Sequence, residues 1–278
     1  MKTSVIFTTY NSPRWLEKVL WGFFAQTVRD FEIVIADDGS GEETRLLIER
    51  MQAESPMPIR HVWQEDDGFQ KSRIMNKAIV AAEGDYLIFT DGDCIPRADF
   101  VEQHLRHAGR DRYLSGGYFK LPMSISEAIT REDVQTQRAF DVDWLVSQGL
   151  KPSHKTMKLT ARGKWADFLN WISPTRPTWN GHNASCHKEF ALAVNGFEER
   201  MQYGGQDCEF GDRLTHLGLK PKRIRYSAVC IHLDHKRPYV SEEMLKNSHD
   251  IRTETQRLKR VRAVEGLDKY LDRSGGES

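Results

Sequence analysis

Apolar residues in the first hundred positions cluster in short runs, Val5–Phe7, Phe31–Ala36, Ile59–Val62 and Tyr86–Phe89, each followed by a stretch with helical spacing. Runs of this length read as buried strands, and their alternation with helices predicts an α/β fold built on a mainly parallel sheet. The first predicted helix opens at Pro13, a residue suited to a first turn, and Trp15, Leu16, Val19, Leu20, Phe23 and Phe24 form one broad stripe for the core. A second follows Ser40 with Leu46, Leu47 and Met51 inward, and a third carries Ile74, Ala78, Ile79 and Ala82 before Gly84 ends it.

From Gly116 to about Pro177 the pattern weakens, which predicts an insert of helices and a loop over the active end of the sheet. Within it Trp165, Phe168, Leu169 and Ile172 share a helical face among lysines and arginines. That face either packs on its own domain or meets a membrane surface or an anionic acceptor. A further strand is predicted over Tyr226–Ile231. Beyond Ser241, Leu245, Ser248, Ile251, Leu258, Val261 and Val264 recur at helical spacing, predicting one or two helices packed on the domain, with a disordered tail at 274–278.

Forty basic residues balance forty acidic ones, so no global field argues for a nucleic-acid partner, and no apolar run is long enough to span a bilayer. The chain enters a strand at Ser4 without the basic leader and apolar core of a secretory signal, which predicts a cytoplasmic protein, with peripheral contact at the inner face of the membrane left open. The four cysteines are scattered singly with no CxxC pair, so reduced thiols are expected, with Cys94 and Cys208 as small packed side chains.

The candidate chemistry sits at strand ends. Tyr86–Thr90 runs straight into Asp91-Gly92-Asp93, so a buried strand delivers two carboxylates together at its carboxyl end. Paired carboxylates favour an opposite charge, and all-oxygen ligands suit Mg2+ or Mn2+ bridging to a diphosphate. The alternative is a turn whose aspartates only cap a helix beginning near Pro96. Two more strand ends, Thr8-Thr9-Tyr10-Asn11 and Asp37-Asp38-Gly39-Ser40, should converge on the same crevice. The loop Asp66–Arg73, leading to Asn76, offers cations and helix amides for phosphates.

Read together, these motifs resemble family 2 glycosyltransferases of the GT-A nucleotide-diphospho-sugar transferase fold. The likeness continues through Gly181-His182-Asn183, Asn195-Gly196-Phe197 and Tyr203-Gly204-Gly205-Gln206-Asp207, which resemble the chondroitin-polymerase-like and galactosyltransferase-like branches. The resemblance implies that residues 1–240 form the transferase domain, with a nucleotide-binding half (1–115) and an acceptor half (116–240), followed by a helical extension (241–278). It makes Asp37 a uracil contact, Asp91 a ribose or metal-shell contact, Asp93 the metal ligand and Asp207 the catalytic base. Thr9, Tyr10, Asn11, Asp38, Arg73, Asn76 and Gly92 would help hold the donor. Trp179, Gly181, Asn183, Tyr203, Gly204, Gly205 and Gln206 would shape the sugar pocket. His232, ending the late strand, would be a further metal ligand, with His235 as its substitute or a substrate contact; His182 and His187 fit acceptor contact or simple structure.

Two positions depart from the family pattern: Gln206 stands where a Glu is usual, and Met75 where an Arg is usual, leaving Arg73 or Lys71 for the phosphates. The implied activity is metal-dependent inverting transfer from a nucleotide-sugar, a UDP-sugar above all, to a hydroxyl of a glycan or lipid-linked acceptor, in bacterial surface polysaccharide or lipopolysaccharide assembly. Two other readings stand beside it: a sugar-phosphate nucleotidyltransferase, which should open with a Gly-rich basic loop that Thr8–Asn11 is not, and a non-catalytic glycan-binding or scaffold subunit.

Overall fold

The computed structural model describes residues 1–235 and 241–271, so the tail expected at 274–278 lies outside the described residues. Among the described residues ten strands form two sheets: β1 (Thr3–Thr9), β2 (Glu32–Asp37), β3 (Ile59–Trp63), β4 (Tyr86–Asp91), β5 (Cys94–Pro96), β6 (Arg112–Ser115), β7 (Gly117–Lys120), β8 (Ala184–His187), β9 (Lys220–Arg223) and β10 (Val229–His232). The larger sheet has the order β3-β2-β1-β4-β8-β6-β9 and the smaller one β5-β10-β7. β1 pairs in parallel with both β2 and β4, while β8 runs antiparallel to β4 and to β6. The chain order reverses beside β1, so a crevice opens at the carboxyl ends of β1, β2 and β4.

Side-chain alternation divides the core between the two faces of the large sheet. Val5, Phe7, Ile33, Ile35 and Ile88 face one cluster, filled by the helix Pro13–Phe24, whereas Ile6, Val34, Ala36, Leu87 and Phe89 face the other, filled by the helices Lys71–Ala81 and Gln206–His216. Strands covered on both faces read as continuous apolar runs, which is why the pattern exposed them so clearly.

Four expectations about packing change. Trp15 is only half-buried and lines the crevice, because the first turn of its helix begins where β1 ends at the active edge. Leu46 points to solvent, and Thr44, Leu47, Ile48 and Met51 form the inner face of the helix Glu42–Glu54. The 116–177 insert does not cover the crevice: Ile125, Ile129, Phe140, Leu145 and Leu159 bury it in the first core, and of this segment Tyr118 alone lines the crevice. Helix Glu242–Leu258 docks through polar groups rather than its apolar positions, for Leu245 and Leu258 are exposed while Ser248 and Thr255 are buried.

That docking converges on a buried ion pair. Arg213 and Glu209 are both fully enclosed, with Nη2 at 2.8 Å from Oε2 and Nε at 2.9 Å from Oε1, and Thr255 Oγ1 donates to the same carboxylate at 2.9 Å. Arg213 also donates to the Val194 carbonyl. Removing one partner leaves the other charged and buried. Glu209→Ala should therefore cost about 3–5 kcal/mol, read as a fall in the urea midpoint, with Thr255→Val costing about 1 kcal/mol.

Candidate active site

The sheet topology gathers the strand-end motifs into one cleft of about 750 Å³, lined among others by Thr8, Thr9, Asp38, Lys71, Asp91, Asp93, Asp207 and His232. Its floor depends on a close approach. The Gly92 N–H donates to the Thr8 carbonyl at 2.9 Å, and a Cβ on Gly92 would lie 2.5 Å from that oxygen. Only glycine lets the Asp91–Asp93 turn lie against β1. Neither aspartate caps a helix: the turn enters β5, and the next helix starts at Phe100.

Four carboxylates, Asp38, Asp91, Asp93 and Asp207, and one lysine line the cleft. Lys71 Nζ lies 2.7 Å from Asp91 Oδ1. Burial pushes the Asp91 pKa up, but the charge and hydrogen bond of Lys71 outweigh it, and the carboxyl ends below its ordinary range. The Lys71 ammonium is likewise opposed by burial yet raised by Asp91, Asp207 and Asp93. Asp207 goes the other way. Burial raises its pKa, Lys71 opposes the rise and Asp91 adds to it, giving a carboxylate more basic than usual. Among the described residues its Oδ1 is buried without a hydrogen-bond partner, as is Oε1 of the adjacent Gln206. A Cβ on Gly181 would stand 2.7 Å from Asp207 Oδ2, so this glycine makes room for the carboxylate. Asp207 is not the helix cap; Gly205 occupies that position, with φ of 90°.

At the other end of the turn, Asp93 Oδ2 faces two imidazoles, His235 Nε2 at 2.8 Å and His232 Nε2 at 3.7 Å. His232 Nδ1 lies 2.8 Å from the Leu233 carbonyl, so this nitrogen carries the proton and donates, which turns the lone pair of Nε2 toward the Asp93 carboxylate. Carboxylate and imidazole at that separation could share a cation between them. Asp93, Cys94 and His232 bring ligand atoms within 4.8 Å of one another, but burial pushes the Cys94 thiol well up. A protonated thiol is a poor ligand for a hard cation, leaving carboxylate and imidazole as the donor set.

Several expected site residues are builders instead. Asp37 is fully buried and accepts from the Ser40 amide at 2.8 Å while its other oxygen pairs with His61 Nε2 at 2.9 Å; Asp38 faces the cleft in its place. Burial raises the Asp38 pKa to about 6 against hydrogen bonds from the Gln70 amide and the Gln64 side chain. Asn76 is fully buried and bridges to Phe197 and Glu199 rather than to phosphates. Arg73 pairs with Asp67 at 3.2 Å outside the cleft lining, so Lys71 is the cation that enters it. Met75 packs in the second core, facing away from the cleft. Trp179 is a core residue against Phe89, Tyr113 and Phe210. Gly204 and Gly205 adopt positive φ in the turn before the helix and lie outside the cleft lining.

Tyr10, Asn11, Tyr203, Gln206 and His235 do line the cleft, as expected. Tyr10 donates its hydroxyl to Asp66 at 2.8 Å, and Asn11, at φ of 43°, accepts from the Gly41 amide. Trp15, Phe69, Tyr118 and His182 line it too. Of these, His182 and Phe69 stood within recognised motifs, whereas Trp15 read as core and Tyr118 carried no signal. His187 lies at the far end of β8, against Tyr86.

Residues 4–143 match the model of glycosyl transferase family 2. The chain belongs to that family. Curated relatives of this family 2 glycosyl transferase include "Uncharacterized glycosyltransferase YfnE" of Bacillus subtilis, 26% identical over 268 residues (84% of this chain, 65% of the relative). The hyaluronan synthase of Pasteurella multocida is 29% identical over 240 residues (80% and 23%), and the chondroitin synthase of Escherichia coli 25% over 237 (77% and 32%). The chain thus spans from under a quarter to about two thirds of these relatives' lengths. Among solved structures, S. aureus TarS 1-349 in complex with UDP-GlcNAc has a TM-score of 0.62 at 15% identity, covering 100% of this chain and 74% of that one. The mannosyltransferase PcManGT from Pyrobaculum calidifontis, in complex with GDP-Man and Mn2+, has a TM-score of 0.57 at 20% identity, covering 85% and 58%. The shared fold is GT-A.

Asn183, expected at the sugar, belongs to a buried relay of the family 2 chain. Its amide donates to the Gly117 and Ala228 carbonyls at 2.8 and 3.0 Å, so its oxygen accepts from His104 Nε2 at 2.9 Å. His104 Nδ1 then accepts from Ser185 Oγ at 2.7 Å, and Ser185 accepts from Tyr86 at 2.7 Å. The relay closes only with a neutral imidazole. Burial lowers the His104 pKa to about 3. The unfolded chain takes up this proton near pH 6.5, so the stability tied to neutral His104 is complete above that pH and is lost as pH falls toward 3. Between pH 7 and pH 4.5 this amounts to about 2.5 kcal/mol. Urea midpoints at the two pH values should differ less in His104→Gln than in the wild type.

Proposed function

We propose that this chain is a metal-dependent inverting glycosyltransferase that moves a sugar from a nucleotide-sugar, a UDP-sugar above all, to a hydroxyl of a glycan or lipid-linked acceptor. Bacterial surface polysaccharide or lipopolysaccharide assembly is the context that suits this activity. One observation carries the reading: Asp207 presents a buried carboxylate oxygen, unpartnered among the described residues, in the same cleft as the Asp91-Gly92-Asp93 turn. The nucleotide-sugars and Mn2+ named for the structural neighbours support it.

Asp93 and His232, with His235 as substitute, would hold Mn2+ or Mg2+, which when bound supplies positive charge to the leaving diphosphate. Asp91 would complete its surroundings or meet the ribose, held ionised by Lys71. Thr9, Tyr10, Asn11 and Asp38 would line the nucleoside end. Asp207 accepts the proton of the acceptor hydroxyl as that oxygen bonds to the anomeric carbon and the bond to the diphosphate breaks with its electron pair. Attack from the face opposite the leaving group inverts the anomeric centre, and no covalent enzyme intermediate is required. The raised basicity of Asp207 suits this proton transfer, and Gln206 keeps hydrogen-bonding reach toward a sugar without adding a fifth carboxylate.

A panel of nucleotide-sugars with Mn2+, followed by release of free nucleotide, tests the reading. One donor should be consumed, and EDTA or Asp93→Ala should abolish its consumption. Asp207→Asn should retain donor binding by calorimetry while lowering kcat about 10²–10⁴-fold. Gly181→Ala should displace the Asp207 carboxylate and lower kcat about tenfold or more, with a smaller change in donor affinity. Absence of release from every donor, together with absence of metal-dependent nucleotide binding, would move the weight to a non-catalytic scaffold.

A further inference from the structure

The helix Gly163–Ile172 buries Ala166, Leu169 and Asn170, with Asn170 anchored to Ser227 Oγ at 2.8 Å and to the Tyr226 amide at 2.9 Å. Leu169 was grouped with the aromatic positions by spacing alone, but it turns inward. The opposite face carries Trp165 (54% exposed), Phe168 (44%), Trp171 (77%) and Ile172 (49%). These side chains form one patch. Trp165 stacks on Phe168 with centroids 5.5 Å apart, and Phe168 lies 6.1 Å from Trp171. Singly exposed apolar residues are ordinary; a contiguous aromatic ridge on a well-anchored helix marks an interaction surface.

The surroundings are cationic. Residues 151–176 carry six lysines and arginines against one acidic residue, Asp167. Trp171 also borders a second cavity of about 610 Å³ to which Arg112, Lys220, Lys222 and Arg223 contribute, with Asp111 and Asp167 as its acidic members. Arg223 donates to the Ser173 and Thr175 carbonyls, tying the end of the helix to this basic strand. No helix among the described residues is long and apolar enough to cross a membrane.

We infer that this face is an interfacial docking surface for an anionic lipid bilayer, with Trp165, Phe168, Trp171 and Ile172 entering the headgroup boundary while the flanking lysines and arginines meet lipid phosphates. Indole and phenyl rings favour this boundary, and each nearby cation strengthens attraction to an anionic leaflet. The aliphatic Ile172 argues for lipid over a sugar chain, since saccharides stack on aromatic faces and gain little from an aliphatic branch. Charge complementarity excludes a neutral apolar partner as the best fit. This inference stands on the helix and its neighbours and does not depend on the transferase reading.

Cosedimentation of the full chain with vesicles tests it. Phosphatidylcholine vesicles containing about 30% phosphatidylglycerol should bind the protein at least tenfold more tightly than phosphatidylcholine alone, and about 0.5 M NaCl should reverse most of that gain. Combining Trp165→Ser, Phe168→Ser and Trp171→Ser should weaken binding at least tenfold while leaving the urea midpoint in place, because these side chains are exposed. Lys164→Glu with Lys220→Glu should weaken binding to anionic vesicles alone. Leu46→Ser with Leu258→Ser, exposed apolar positions elsewhere, should leave binding unchanged. Absence of binding to either vesicle, equal binding by the aromatic triple variant, or a wild-type dimer in light scattering that this variant dissolves would overturn the inference, the last by assigning the face to a second copy of the chain.

Discussion

The cleft depends on how closely β4 can lie against β1. Their register sets Asp91 beside Thr8, and the Gly92 amide closes on the Thr8 carbonyl one residue later. Any side chain at Gly92 would push the turn outward and carry Asp93 away from the imidazoles at the end of β10. The same register draws carboxylates into a poorly solvated place, and Lys71 offsets that cost for Asp91. One lysine does not balance four carboxylates. The remaining negative charge is what makes the Asp93 end, with two imidazoles beside it, a place for a cation.

Around this floor the protein is held by buried polar groups that join distant segments. Asn76 ties the helix Lys71–Ala81 to Phe197 and Glu199. Asn183 joins β8 to the carbonyls at Gly117 and Ala228 and to His104. Glu209 and Arg213 gather the helix Glu242–Leu258 and the Val194 turn. Each group costs free energy to bury unless its bonds are complete, and here the partners complete them. The geometry of the cleft is inherited from these joints: Asn183 fixes the segment that carries Gly181 and His182, and Asn76 fixes the start of the helix from which Lys71 projects.

This division of labour explains why asparagines and an aspartate close to recognised motifs do not face the cleft. A turn such as Asp37-Asp38 alternates direction, so when one carboxylate lines a cavity its neighbour must find partners inside. A motif marks the segment and leaves open which of its members faces the ligand. Trp179 shows the same ambiguity, since an aromatic beside a binding loop serves equally well as the packing under that loop.

Strands β1–β4 and the late strand β10, the parallel half of the sheet and the first and third helices were determined by the sequence, because a strand covered on both faces has an apolar centre and its end places polar residues at one edge, while the order of motifs pointed to Asp91, Asp93, Asp207 and His232 together. Tertiary structure alone decided which neighbours of those residues enter the cleft. Asp38 rather than Asp37, Lys71 rather than Arg73 and His235 alongside His232 were selected by backbone direction and by contacts between segments far apart in the chain. It also turned the aromatic face of Gly163–Ile172 outward while Leu169 went in, since a helical stripe is assigned to core or solvent by what packs against it. Local pattern carries periodicity and residue type; facing and partnership are non-local, and only the folded chain supplies them.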